Sequence, residues 1–499
     1  METFILAIDQ STSGTKALVV DRSGRILARS SAEHRQIYPA PGWVEHDPEE
    51  IYENVKRTAR QALAQAGIGA SRLAALTITN QRETAVMWDR TTGKPVHNAI
   101  VWQCQRTADQ CSALQQAGHG PAVKAATGLM LDPYFSATKW CWMLEHAVGA
   151  QERLAQGKLL AGTMDSWLIW KLTGGQVHAT DYTNASRTSL FNIYSLAWDA
   201  EMCGLFGVPR SLLPEVKSSD EIYGYISDPD LFPEPVPISG IIGDSQAALF
   251  GQQCWERGMA KATYGTGTSV LMNIGERPVA ANNGLVTTIA WGRGGKVTYA
   301  VEAIIRSSGD TVKWVRDNLG LFETFEEMDA MLRRIPDNEG VYLVPAFVGM
   351  GAPYWDPYAR ASITGMNRST GREHIVRAAV ESIAYQVRDA AELMAGETGI
   401  PLIKLNADGG ATANPLLMQF QADMLHLPLR ISKIAELSAM GSVYLAGLGA
   451  GYWTSLDEIT ALEVEAYHYA PAMEAEARDK NYEGWKRAVR AVVGRVHAV

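Results

Sequence analysis

The stretch Phe4–Ser30, FILAIDQSTSGTKALVVDRSGRILARS, decides the fold. Apolar runs alternate with two turn regions, Gln10–Thr15 and Asp21–Gly24, so the segment reads as a β-meander opening on a polar loop. Asp9 closes the first run, and the hydroxyls of Ser11, Thr12, Ser13 and Thr15 follow with Gly14 and Lys16 among them. Backbone N–H groups and hydroxyls donate to phosphate oxygens, a lysine offsets charge, and a nearby carboxylate can hold hydrated magnesium. The same residues also suit an ordinary hairpin turn. No Gly-x-x-x-x-Gly-Lys-Ser/Thr is present and no Gly-x-Gly-x-x-Gly opens a βαβ unit at the terminus, which disfavours a P-loop enzyme and a Rossmann oxidoreductase. What remains is a strand–turn–strand phosphate loop.

Working outward, His46-Asp47-Pro48-Glu49-Glu50 offers an N-cap, a proline at N1 and first-turn acids. Ile51, Val55, Ala59 and Ala62 then share one face before a stop at Gly67, which predicts an amphipathic helix. A second strand and polar loop follow at Val236–Ile242 and Gly243-Asp244-Ser245-Gln246, and ATYGTGTSVLMN spans Ala262–Asn273. Its Gly265–Ser269 loosely echoes Ser11–Thr15, suggesting that each half gives one Gly/Ser/Thr loop to a shared site. The boundary is placed near 250, dividing the chain into 1–250 and 251–499. A long helix is predicted over Arg372–Ala395, and a strand-turn-helix over Leu402–Met424, interrupted by Asp408-Gly409-Gly410-Ala411.

With 499 residues and 46% hydrophobic content, two globular domains are expected. The 54 acids against 45 bases leave a net charge of −9, which argues against general attraction to nucleic acid or anionic lipid. Five cysteines without a Cys-x-x-Cys pair indicate neither a disulfide framework nor a zinc site and read as reduced cytosolic thiols. Glu2 and the immediate strand leave no room for a signal peptide, and no apolar run is long enough to cross a bilayer. A cytoplasmic location without membrane insertion is therefore expected.

Asp244 sits in a tight turn at the end of an apolar strand, where a general base for a substrate hydroxyl belongs; an Asx-turn or helix N-cap would use it equally. Gly265-Thr266-Gly267 and Asp408-Gly409-Gly410-Ala411 with Asn414 could bring backbone close to a nucleotide, or be plain glycine turns. Arg82 and Glu83, with Trp102 and Tyr134, supply the bidentate donor, the acceptor and the aromatic wall that a polyol needs. They also suit a surface ion pair and core aromatics.

In this order the segments resemble the FGGY carbohydrate kinases, nearest to the glycerol-phosphorylating members. The resemblance is carried by PGWVEHDPEEIYENV (41–55), the segment from ITNQRETAVMWD to QCQRTAD (78–109), GLMLDPYFSATK (128–139), ATDYTNASRTSLFNI (179–193), LVPAFVGMGAPYWDPYARASITG (343–365) and DGGATANPLLMQFQADML (408–425). It implies an α/β fold of two actin-like (RNase H-like) ATPase domains around a cleft. Residues 1–250 would bind substrate and carry the first phosphate loop, residues 251–499 would bind nucleotide, and the cleft would close on binding. It also implies magnesium ATP, a small polyol or sugar acceptor and a homo-oligomer, dimer or tetramer.

By motif position, Asp244 would be the catalytic base, and Asp9 with Asp244 would hold Mg2+. Thr12, Ser13, Gly14 and Lys16 fall on the first phosphate loop and Thr266 on the second, while Gly309, Lys313, Gly410 and Asn414 would line the nucleotide. Arg82, Glu83, Trp102, Tyr134 and Asp244 fall on the acceptor pocket. Glycerol, giving glycerol 3-phosphate, is the default acceptor. Ser245 and Ser269 stand where those members generally have glutamine and phenylalanine, which widens the pocket. The alternative acceptors are erythritol or threitol, a pentitol, or xylulose or ribulose, and Arg306 could reach their hydroxyls. A non-catalytic actin-like nucleotide switch is the rival from another class.

Overall fold

The computed structural model describes residues 2–354, 356, 358–462 and 465–494; Trp355 and Pro357 of the 343–365 segment lie outside the described residues. Its opening is the meander expected: β1 (Phe4–Gln10), β2 (Gly14–Val20) and β3 (Ile26–Glu33) pair antiparallel in sequence. Helix α1 (Pro48–Ala66) begins where the Asp47 carboxylate accepts from the Glu49 amide and ends at Gly67 in the left-handed region. Its Ile51, Val55, Ala59 and Ala62 are fully buried, and its closest strand neighbours are β2 and β3. Next come β4 (Leu73–Asn80), β5 (Ile222–Tyr225), β6 (Pro237–Gly243) and α2 (Asp244–Gly251).

These strands form one sheet in the order β5-β6-β4-β1-β2-β3, with β6, β4 and β1 mutually parallel. Register places Gln10 and Gly243 on either side of Asn80. Three loops therefore leave the carboxyl edge at the same level: Ser11 onward, Gln81-Arg82-Glu83, and Asp244 onward. That edge is where parallel sheets present ligand-binding groups.

The second half builds β7 (Met259–Tyr264), β8 (Thr268–Gly275), β9 (Val286–Arg293), β10 (Lys296–Ile305), α3 (Gly309–Asp317), α4 (Phe325–Arg334) and α5 (Arg372–Thr398). It continues with β11 (Lys404–Asp408), α6 (Pro415–Leu425), β12 (Leu429–Ser432), α7 (Leu437–Gly449) and β13 (Ala466–Tyr469). The sheet order is β9-β10-β8-β7-β11-β12-β13. Apart from β9 it repeats the spatial order and strand directions of the first sheet: three antiparallel strands, two strands added parallel, and an antiparallel edge strand, which here follows its neighbour in the chain whereas β5 precedes β6. The echo between Ser11–Thr15 and Gly265–Ser269 thus marks a topological duplication that no longer shows as repeated sequence.

Helix α7 belongs to the second half by sequence but to the first by packing. It lies on α2 and crosses β6, β4 and β1. The crossing is closed by glycines: a Cβ on Gly441 would overlap the Ala247 carbonyl oxygen, and one on Gly251 would meet the Leu437 carbonyl oxygen. Backbones touch here because no side chain intervenes.

Candidate active site

A cavity of about 550 Å³ opens between the two sheets. Thr12, Arg82, Glu83, Trp102, Tyr134, Asp244, Ser245 and Ser269 all line it, so the residues expected at the acceptor come together from separate segments of the chain. Arg82 is their hub. Its Nε lies 3.3 Å from Asp244 Oδ1, Nη2 lies 3.0 Å from Glu302 Oε1, and Nη1 donates to Gln246 Oε1 at 3.2 Å. Trp102 stands edge-on to Tyr134 at 5.3 Å between ring centroids, and its Nε1 donates to Thr12 Oγ1 at 3.0 Å. The aromatic wall is thereby tied to the first loop.

Behind this wall lies a buried charge cluster. Arg187 Nε contacts Glu83 Oε1 at 2.5 Å and its Nη1 contacts Glu302 Oε2 at 2.8 Å, with all three residues at most 1% exposed. Burial alone would raise both carboxyls. For Glu302 the guanidiniums of Arg187 and Arg82 outweigh it and hold the group at about 2. For Glu83 burial wins over the same two cations and its proton affinity is raised. The difference follows from geometry, because Glu302 contacts both cations at 3.0 Å or less whereas Arg82 is 3.7 Å from Glu83. Glu83 also has φ 59, a left-handed conformation rare for a side chain of its size and of the kind found at functional sites.

Asp244 is the first residue of α2, following Gly243, whose amide donates to Thr183 Oγ1 at 2.8 Å. Its carboxylate is 37% exposed, which leaves it open to the cavity while Arg82 holds one side. Asp9, at the end of β1, is 9% exposed, and burial pushes it up to about 6; the Asp244 and Glu436 charges push the same way and Lys16 opposes them. Two carboxylates close enough for one to raise the other would be hard-oxygen donors of the kind that hold Mg2+. Lys16 pairs in register with Asp9. Ser13, Gly14 and Lys16 sit at the β1–β2 edge outside the cavity wall.

A second cavity, about 640 Å³, adjoins the first at Gly265 and is lined by Thr266, Gly309, Lys313, Gly410 and Asn414. The N-terminus of α3 is bound to the β7–β8 loop: the Ser308 amide donates to the Thr266 carbonyl at 2.9 Å and the Gly309 amide to the Gly265 carbonyl at 3.0 Å. Beside them Gly409 has φ 96 and packs on the Tyr264 backbone. Gly410 faces open space. Asn414 is mainly a helix cap: its Oδ1 accepts from the Leu416 and Leu417 amides, and its Nδ2 donates to Asp329 Oδ1 at 3.1 Å.

Arg306 does not line the acceptor cavity; it is exposed and donates to the Val348 carbonyl at 3.3 Å. Sequence reasoning missed Arg187, Glu302, Gln246 and Lys139. Lys139 Nζ donates to the carbonyls of Pro133, Tyr134 and Phe135 at 2.6, 2.7 and 2.8 Å, which fixes the loop carrying Tyr134. The available signal for Glu302 was a lone acid inside the apolar run Tyr299–Ile305.

The chain is also similar to known proteins over nearly its whole length. Residues 4–251 match the N-terminal domain of the FGGY family of carbohydrate kinases and residues 260–450 match its C-terminal domain. The chain is 51% identical to a glycerol kinase of Xanthomonas campestris over 98% of both chains. It is 50% identical to glycerol kinase 2 of Thermotoga maritima, covering 98% of this chain and 99% of that one. The fold superposes on the crystal structure of Plasmodium falciparum glycerol kinase with ADP at a TM-score of 0.93, with 36% identity and 99% of each chain covered.

Proposed function

The chain belongs to the FGGY family of carbohydrate kinases, and from that premise we propose that it transfers the γ-phosphate of ATP to a terminal hydroxyl of glycerol. The observation that carries this reading is the convergence of Arg82, Glu83, Trp102, Tyr134 and Asp244 on one cavity, which meets a second cavity at Gly265. In the mechanism, Tyr134 and Trp102 cover the carbon chain of the acceptor while Arg82 and Glu83 take its hydroxyls. Asp244 accepts the proton of the attacking hydroxyl. The second cavity holds the nucleotide, whose phosphates reach the β1–β2 and β7–β8 loops. Asp9 and Asp244 would hold Mg2+, which supplies charge neutralisation on the phosphates when bound.

Coupled measurement of ADP release with glycerol tests the reading. Asp244→Asn is expected to lower kcat by roughly 10³-fold while ADP affinity stays within about threefold; near-normal turnover would refute the base assignment. A second acceptor class is favoured by one contact: Ser269 Oγ donates to Glu302 Oε1 at 3.1 Å, so this wall of the cavity is small and polar. In the same assay a four- or five-carbon polyol with kcat/KM above that of glycerol would establish it as the better acceptor.

A further inference from the structure

Lys261, on β7, is 1% exposed, yet it lines the acceptor cavity. Its Nζ donates to Thr263 Oγ1 at 3.0 Å, and among the described residues no carboxylate lies within 4.0 Å of it. An ammonium has three donors, and a buried cation without a carboxylate is costly. The other cation of the cavity is engaged, since Arg82 is held by Asp244, Glu302 and Gln246. Among the described residues lining the acceptor cavity, Lys261 is therefore the cation with no carboxylate within ion-pair distance.

Its position says what it is for. Lys261 and Thr263 alternate onto one face of β7, where Thr263 pairs with Ser269 on β8 and with Asp408 on β11. All four residues line the cavity. Two residues beyond Thr263 the strand gives way to Gly265-Thr266-Gly267, the loop that separates the acceptor cavity from the nucleotide cavity. Burial lowers the proton affinity of Lys261 and Arg82 adds to that, while the more distant Asp408, Glu302 and Asp244 charges oppose it; a phosphoryl anion beside Lys261 would act in the same direction as those carboxylates and keep the ammonium charged.

We propose that Lys261 is a further catalytic residue, whose ammonium engages the oxygens of the phosphoryl group as it crosses from ADP to the acceptor. The proposal rests on the kinase reading above. In the step it assists, the acceptor oxygen bonds to the γ-phosphorus as its proton passes to Asp244. The bond from the γ-phosphorus to the β–γ bridging oxygen breaks, and its electron pair leaves with ADP. Lys261 changes no bond and offsets the charge spread over the phosphoryl oxygens.

Lys261→Met tests this in the full chain. The expected result is a kcat lower by roughly 10²–10³-fold with the glycerol KM within about threefold. The melting temperature should change little, because the burial cost removed with the ammonium offsets the lost attraction to the Asp408, Glu302 and Asp244 charges. Calorimetry with ADP, aluminium fluoride and glycerol should show loss of the tight transition-state-like complex while ADP alone binds as before. Lys261→Gln, which preserves a donor without charge, should fail in the same way. A kcat within about threefold of wild type, or a fall in melting temperature with the aluminium fluoride complex intact, would overturn the assignment. Wild-type protein that releases no ADP with glycerol or any polyol would instead refute the kinase reading itself, and this proposal with it.

Discussion

His46 shows how one buried side chain can make the stability of the fold depend on pH. It is fully buried; its Nε2 pairs with Gln36 Oε1 at 2.8 Å, and Gln36 Nε2 donates to the Thr12 carbonyl at 2.9 Å. Gln81 Nε2 reaches His46 Nδ1 at 3.3 Å, so the ring is used as a neutral tautomer with one donor and one acceptor. Burial first, and then the edge-on His34 ring at 4.4 Å, push its proton affinity down to about 3. Between about 3 and the unfolded value near 6.5 the unfolded chain binds a proton that the folded chain refuses. Stability therefore rises with pH across that window and is lost as pH falls through it, by at most about 1.4 kcal/mol per unit from this residue. The melting temperature should drop more steeply from pH 7 to pH 5 in the wild type than in His46→Gln, and parallel slopes would exclude His46 as the cause. Residues of this kind are hard to read in sequence. Asp9, Arg82 and Asp244 are legible because each lies within two residues of the end of an apolar strand, at a polar turn, whereas Arg187, Glu302 and Lys261 derive their surroundings from neighbours far away in the chain or across a strand pair.

At the scale of elements, helix α2, which begins at Asp244, is held by its contact with α7 rather than by a cap. Among the described residues no side chain caps its N-terminus, and its last turn touches α7 backbone to backbone at Gly251 and Gly441. Gly441→Ala should push the helices apart and cost about 3 kcal/mol or more, because the neighbour that must yield is the Ala247 carbonyl. Differential scanning calorimetry would report the loss, and kcat should fall with it as Asp244 shifts relative to Arg82. An unchanged melting temperature would mean that the crossing has slack. Helices α1 and α5 are legible in the sequence because Asp47, Pro48 and Gly67 punctuate the first and a long apolar stripe marks the second. The crossing of α2 by α7 is not, since Leu437–Gly449 is apolar nearly all round and such a pattern says that a helix is buried without saying where.

For the whole molecule, the two sheets follow one another in sequence but do not make two closed units. Beyond the short echo of Ser11–Thr15 in Gly265–Ser269, the duplication does not show in the sequence, because a sheet constrains alternation and strand ends, which many sequences satisfy, and not the residues themselves. Residues 1–250 expressed alone should be largely insoluble and should gain solubility when residues 251–499 are supplied on a second chain. A monomeric, cooperatively melting 1–250 fragment would contradict this. Helix α7 also puts a clock on biosynthesis. The last strand of the first sheet ends at Gly243 and its cover begins at Leu437, about 200 residues later. At roughly 5–20 residues per second the ribosome needs on the order of 10–40 s to deliver that cover. Throughout that interval one apolar face of the nascent sheet stands bare, so this chain should lean on co-translational chaperones more than its length alone would suggest.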